Sequence, residues 1–202
     1  ELGTLLEALR GRAEPVRDLA FAGDGEPSTF RGFLPLARRV FDVRDAAGLA
    51  GLPVTLITNG SGLGRPEMLE AHDLFAARGG AFWVKLDAGT EAFYRAVSRT
   101  SVPYARVLAN LGRAARRHPV VVQSMFFRSD ALGAPTPAEI GAWASRLEAV
   151  VRGGGALAGV QVCTVARETI EEGTHPLGEV ELEAIAAAAR AALPGVPVST
   201  YR

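Results

Sequence analysis

Apolar and polar positions along this chain switch repeatedly between two periods, one helical and one extended. Apolar residues at helical spacing predict a helix over Leu2–Arg10, followed by a short strand over Asp18–Ala22. A helix over Leu34–Ala47 precedes a buried apolar run, Pro53–Ile57, that ends in Thr58-Asn59-Gly60. The amphipathic stretch Arg65–Ala77 is stopped by Gly79-Gly80, as a C-terminal glycine cap stops a helix. Ala81–Asp87 reads as a strand, Tyr104–Arg117 as a helix ended by His118-Pro119, and Val120–Phe127 as a strand. A helix over Pro137–Val151 runs to the break at Gly153-Gly154-Gly155. The strand Gly159–Val165, the Ala-rich helix Glu179–Leu193 and a last strand Val196–Tyr201 follow. Strands separated by helices of about 10–15 residues predict a parallel sheet with right-handed crossovers. Without a repeat or a low-complexity linker, residues 1–202 read as a single α/β domain, an open or partial barrel.

Alternation along each strand separates two faces. Phe82, Val84 and Leu86 form one side of their strand and belong under the helices; Trp83, Lys85 and Asp87 form the other and face the barrel interior. By the same alternation Asn59 closes its strand, Gln123 faces inward between Val121 and Met125, and Gln161 lies beside Cys163. A purely structural barrel fills its interior with Val, Ile and Leu. Burying a lysine and an aspartate costs several kcal/mol even when they pair. Lys85 and Asp87 taken alone fit a plain ion pair, and Gln123 or Gln161 a satisfied core amide. Polar groups near the C-terminal ends of four strands fit a polar ligand in the cavity better.

Composition narrows the class. Twenty-two basic residues balance 22 acidic ones, so bulk charge indicates no nucleic acid and no membrane surface as partner. Lys85 is the only lysine, an Arg bias that goes with the Ala- and Gly-rich composition of a GC-rich genome. No apolar run approaches the ~18 residues of a membrane span, and no signal-peptide pattern is present, so the expected location is cytoplasmic. Cys163 is the only cysteine, which excludes an internal disulfide and any zinc or iron–sulfur site built from this chain's thiols.

The most informative local motif is Gly23-Asp24-Gly25-Glu26-Pro27, which follows the apolar Leu19–Ala22 and leads into Ser28-Thr29. The glycines allow a sharp turn and close approach of a ligand to the backbone. Glu26 sets a carboxylate at the end of the strand where α/β folds bind ligands, and Pro27 fixes the exit. An ordinary Gly-rich strand-to-helix turn has the same composition.

This turn resembles the Gly-Gly-Glu-Pro turn of radical S-adenosylmethionine (SAM) enzymes, with Asp24 in place of the first glycine. The succession Gly-Asp-Gly-Glu-Pro, Ile-Thr-Asn-Gly, Val-Lys-Leu-Asp-Ala-Gly, Val-Val-Gln-Ser and Val-Gln-Val-Cys-Thr-Val is similar to strands two to six of that core, over about residues 18–166. Val84–Thr90, with Tyr94-Arg95 and Pro103 after it, also resembles the "Lys-Leu-Asp" strands of a branch with RNA-modifying members. The resemblance implies a partial (β/α)6 TIM-like barrel without its first strand, a SAM ligand and a 4Fe–4S cluster. It implies that Gly25 and Glu26 meet the methionyl amino group, and that Thr58 and Asn59 lie near the carboxylate or sulfonium. Asp87 with Gln123 or Ser124 is expected to reach the ribose and carboxylate. The backbone around Val162–Val165, with Thr164, is expected on the adenine. Lys85, Trp83 and Gln161 are candidates to face an unknown substrate.

The family binds its cluster through a Cys-x-x-x-Cys-x-x-Cys loop after the first strand, and this sequence contains neither loop nor strand. The resemblance therefore places the cluster ligands on a segment upstream of Glu1; a degenerate, non-catalytic SAM- or nucleotide-binding or interaction domain is the alternative. An absent first strand implies that the apolar strand Asp18–Ala22 has either an open edge or another segment along it.

The remaining constellations are poorer. His72, His118 and His175 lack metal-ligand spacing and read as surface or capping residues. Ser61, Ser124 and Ser129 have no nucleophile-elbow context. Arg113, Arg116 and Arg117 read as a solvated face near a helix C-terminus, where positive charge is favoured. Gly60-Ser-Gly-Leu-Gly64 lacks the Lys-Ser/Thr of a P-loop and reads as a flexible loop.

Overall fold

Six strands lie side by side in the order in which the chain makes them. They are β1 (Leu19–Phe21), β2 (Val54–Thr58), β3 (Gly80–Lys85), β4 (Val120–Met125), β6 (Leu157–Cys163) and β8 (Val198–Tyr201), and every neighbouring pair is parallel. The computed structural model describes residues 2–9, 16–23, 25–166 and 173–202. Asp24 of the glycine turn and Arg10 of the first predicted helix lie outside the described residues.

The connecting helices are α1 (Leu2–Leu9), α2 (Phe33–Ala46), α3 (Pro66–Ala77), α4 (Glu91–Ser98), α5 (Tyr104–Arg117), α6 (Pro137–Arg152) and α7 (Glu179–Ala192). Contacts run α1 to α2, α2 to α3, α3 to α5, α5 to α6 and α6 to α7, so the helices form one layer along the sheet. A doubly wound sheet reverses its strand order and takes helices on both faces. Here the order never reverses, and the six-stranded parallel sheet flanked by helices is compatible with the wall of a partial α/β barrel. β1 and β8 are its end strands, each bonded on one side only among the described residues.

The two-face reading of the strands holds in detail. Phe82, Val84 and Leu86 are buried beneath the helices, as are Val120, Val122, Val160 and Val162, whereas Trp83, Lys85, Asp87, Gln123 and Gln161 are half-buried on the opposite face. The core under β1–β3 is aromatic: Phe75 lies 5.0–6.2 Å, centroid to centroid, from Phe21, Phe33, Phe41 and Phe82. Such offset and edge contacts add to the burial of each ring.

Four features differ from the sequence expectations. The predicted strand Val120–Phe127 breaks at Phe126, which turns into the core against Trp143. Beyond it, β5 (Phe127–Ser129) pairs antiparallel with β7 (Thr174–Pro176) in a small second sheet. The helix α4 was not expected from the sequence; its start is set by Thr90, whose hydroxyl accepts a hydrogen bond from Phe93 N.

His72 is the fourth difference, since it is neither a surface nor a capping residue. It is fully buried and stacked on Phe82 at 4.2 Å, and its Nδ1 has no hydrogen-bond partner. Burial, reinforced by nearby His118, pulls its pKa from 6.5 down to about 4. A histidine held neutral in the fold contributes stability that is fully present above pH 6.5 and is lost as pH falls towards 4. Chemical denaturation across that interval is expected to show stability falling with acid, and His72→Leu is expected to flatten the slope. An unchanged slope would contradict the assignment.

Candidate functional site

A parallel β/α sheet gathers its chemistry where the strands end and the helices begin. At that end Glu26 is held firmly. Its Oε1 accepts hydrogen bonds from Ser28 N at 2.9 Å and from the hydroxyls of Ser28 and Thr58 at 2.5 Å, and its Oε2 accepts from Asn59 N at 2.7 Å. The carboxylate thus ties the turn after β1 to the end of β2. Ser28 extends the tie by accepting from Gly62 N at 3.1 Å, and a side chain at position 62 would collide with Ser28 O, 2.3 Å from the Cβ it would add. The loop Gly60–Gly64 is therefore a pinned turn rather than a flexible one. Asn110 completes it, donating to Gly60 O at 2.8 Å and Ser61 O at 3.2 Å.

The next strand end is held as tightly. The Asp87-Ala88-Gly89-Thr90 turn receives Tyr104, whose hydroxyl donates to Ala88 O at 2.6 Å, and Arg146, whose Nε donates to Gly89 O at 3.0 Å. Burial pushes the Tyr104 phenol up to about 12, so it stays a donor throughout the ordinary pH range. Buried Glu139 accepts from Gly89 N at 2.5 Å, Thr90 N at 3.1 Å and the Thr90 hydroxyl at 2.7 Å. Gly89 is required because an added Cβ would sit 2.1 Å from Trp143 N. Much of the Val84–Thr90 motif thus seats α6 on the sheet.

Between these two turns the sheet is open. Two chambers adjoin there, both lined by Asn59 and Lys85. The first, about 330 Å³, is bordered by Gly25, Glu26 and Thr58. The second, about 360 Å³, is bordered by Asp87, Met125 and Phe127, with Tyr94 and Val97 of α4 as its wall. Lys85 Nζ lies 3.3 Å from Asp87 Oδ2, while Asp87 Oδ1 accepts from Met125 N at 2.8 Å. Cys163 belongs to the same face, paired in register with Met125. Its thiol is pushed up to about 11, first by burial and then by the Asp87 charge, so it is a neutral thiol at ordinary pH.

The sequence candidates divide accordingly. Gly25, Glu26, Thr58, Asn59, Lys85 and Asp87 come together around the two chambers. Trp83, Gln123 and Gln161 share the open face but line neither chamber; Trp83 sits between Ile57 and Val121, and Gln123 donates to Gln161 at 3.1 Å. Ser124 is on the other face. It is fully buried, donates to Leu86 O at 2.6 Å and accepts from Trp143 Nε1 at 3.0 Å, so strand alternation sets it on the face opposite Gln123. The Thr164 hydroxyl is also buried and accepts from Leu177 N at 2.8 Å, which leaves only its backbone region for a ligand. Thr58 is buried too and acts through Glu26.

Tyr94, Val97 and Phe127 as walls, and Glu139 and Tyr104 as supports, are not evident in the sequence pattern. Thr90-Glu91 followed by apolar residues at 93, 94 and 97 is a helix-start signal that could have revealed α4. No local signal marks Glu139, whose partners are 49 and 50 residues away.

Among the described residues, no helix is long and apolar enough to cross a membrane, and no group of three or more His, Cys, Asp or Glu could hold a metal ion. No protein-family model and no curated protein matches this chain. The class defined by the fold is thus an α/β protein with a one-layer parallel sheet and a polar groove at its strand ends.

Proposed function

We propose that this chain is the SAM-binding core of a radical SAM enzyme, a cytoplasmic protein with an as yet unspecified substrate. The observation that supports this most is the pair of adjoining chambers sharing Lys85 and Asn59, with Glu26 on one side and Asp87 on the other. SAM carries an amino cation, a sulfonium and a carboxylate close together, and this groove sets two carboxylates and one ammonium along a short path. On this reading the Gly25–Glu26 turn holds the methionyl amino group, and Asn59 and Lys85 take the carboxylate. Asp87 reaches the ribose, and a nucleoside extending past the chambers along the open face meets Gln123 and the backbone of 162–165. Glu26 contributes its charge and the less occupied Oε2, because Oε1 already has three donors. When bound and reduced, SAM supplies a 5′-deoxyadenosyl radical; the protein's part is to orient it and exclude water.

The residues present do not fit a 4Fe–4S cluster. Cys163 is the only cysteine in the sequence, its thiol is held protonated, and such a cluster takes thiolates from several residues. No step is therefore assigned to a cluster on this chain, and its ligands belong, on this proposal, to a segment outside these 202 residues. The single cysteine also favours a second reading, a non-catalytic SAM- or nucleotide-binding domain. Equilibrium dialysis with SAM and with ATP tests both readings. SAM retained in preference to ATP is expected. Preference for ATP would favour the nucleotide module, and retention of neither would contradict both. After anaerobic treatment with iron and sulfide and reduction with dithionite, this chain is expected to show no stoichiometric 4Fe–4S signal by electron paramagnetic resonance. Such a signal would overturn the assignment of the ligands to another segment.

A further inference from the structure

A second depression lies outside the groove, on the outer rim of the same sheet end. It holds about 930 Å³ between the approach to α2, the β2–α3 loop and the first turn of α5, and its charged lining is Arg31, Arg65, Glu67 and Arg106. Glu67 is fully engaged, accepting from Leu34 N at 3.2 Å and from the Arg65 guanidinium. Arg65 is also anchored to Ser28 O at 2.9 Å. Arg113, the neighbour of Gly64, donates only to Gly64 O, at 3.2 Å. The side chains of Arg31 and Arg106 have no hydrogen bond or ion pair to any described residue. Guanidinium groups from separate elements therefore converge on one concavity whose only carboxylate is already neutralised. The chain as a whole balances charge to zero, so this excess is local.

We propose that this depression binds the phosphoryl groups of a small phosphorylated ligand. Guanidinium forks match phosphate oxygens in geometry and charge. Ser61 and Thr29 line the same wall, the Thr29 hydroxyl already donating to Glu26 O at 2.8 Å, and α3 opens there with its positive dipole end. Phe30 follows Thr29 and precedes Arg31 in sequence without lining the depression itself; it is 55% exposed, an unusual place for a phenyl ring and a surface for a base that extends past the rim. A small ligand is favoured over nucleic acid because the basic residues fill one depression and do not extend along a stripe. The proposal is independent of what the concave groove binds, since none of Arg31, Arg65 and Arg106 lines either chamber.

Calorimetric titration of pyrophosphate and ADP into the chain, at low and at raised salt, tests it. Pyrophosphate is expected to bind, more weakly as salt rises. The double variant Arg31→Ala/Arg106→Ala is expected to weaken it at least about tenfold, with an unchanged melting temperature because neither side chain is bonded. Arg106→Glu alone is expected to act in the same direction. ADP binding tighter than pyrophosphate, with the gain lost in Phe30→Ala, would identify a nucleoside phosphate. Equal affinities with a silent Phe30→Ala would identify a phosphate ester without a base. Absence of saturable pyrophosphate binding, or equal affinity in the double variant, overturns the proposal. So does a short RNA oligonucleotide that binds when both small ligands do not.

Discussion

Trp143→Ala is expected to lower the unfolding free energy by about 3–5 kcal/mol, the range for truncating a fully buried tryptophan. Its ring is completely buried, edge-on to Phe126 at 5.1 Å, and its Nε1 donates to both Leu86 O and the Ser124 hydroxyl at 3.0 Å. The loss therefore combines a large cavity with two lost hydrogen bonds next to the strand end that carries Lys85 and Asp87. For a domain of this size the melting temperature is expected to drop by about 10 °C or more. Trp143→Phe keeps most of the volume and is expected to cost only about 1–2 kcal/mol, the scale of the missing hydrogen bonds. Urea denaturation of both variants measures the difference. A loss below about 1 kcal/mol for the alanine variant would show that α6 does not rest on this residue as described.

Glu26→Gln is the second large effect, and it is expected in two observables at once. A carboxylate that accepts from four donors cannot be replaced silently by an amide, because one amide end is itself a donor. Whichever way the amide turns, its NH₂ faces the Asn59 N–H or the cluster of Ser28 N, Ser28 Oγ and Thr58 Oγ1. Loss of charge-assisted bonds is expected to destabilise the fold by about 1.5–3 kcal/mol. Calorimetry on the folded variant is expected to show SAM affinity reduced by at least about tenfold, since a charge near the amino group is removed. An effect confined to the melting temperature would make the turn purely architectural, and a change in neither would refute the carboxylate tie itself.

Much of the fold was legible because period and punctuation agree. Gly79 takes φ +72° after α3, as a helix-ending glycine should, and the alternation on β3 and β4 assigns the correct face to Phe82, Trp83, Val84, Lys85 and Gln123. Where tertiary contacts decide, local pattern fails. Ser124 looked ligand-facing because its motif continues Gln123, yet one step along a strand reverses the side chain and Trp143 receives it. His72 looked like a surface histidine because polarity usually signals exposure, but stacking on Phe82 outweighs its polar cost. The β5–β7 pair joins segments about 47 residues apart, and no turn signal between them announces it. At the site, the strand-end residues could be read from the sequence, whereas Glu139, Tyr104 and the α4 wall depend on contacts across the fold.

SAM binding in the groove is tested by calorimetric titration of SAM into the wild-type chain and into Lys85→Ala and Asp87→Ala. Lys85 lines both chambers and Asp87, 3.3 Å from it, lines the second, so a zwitterionic ligand spanning the chambers meets both. Saturable SAM binding by the wild type is expected, with a loss of at least about tenfold in each variant that exceeds any change in stability. Wild-type affinity in both variants would contradict binding in the groove and leave the pair a structural ion pair.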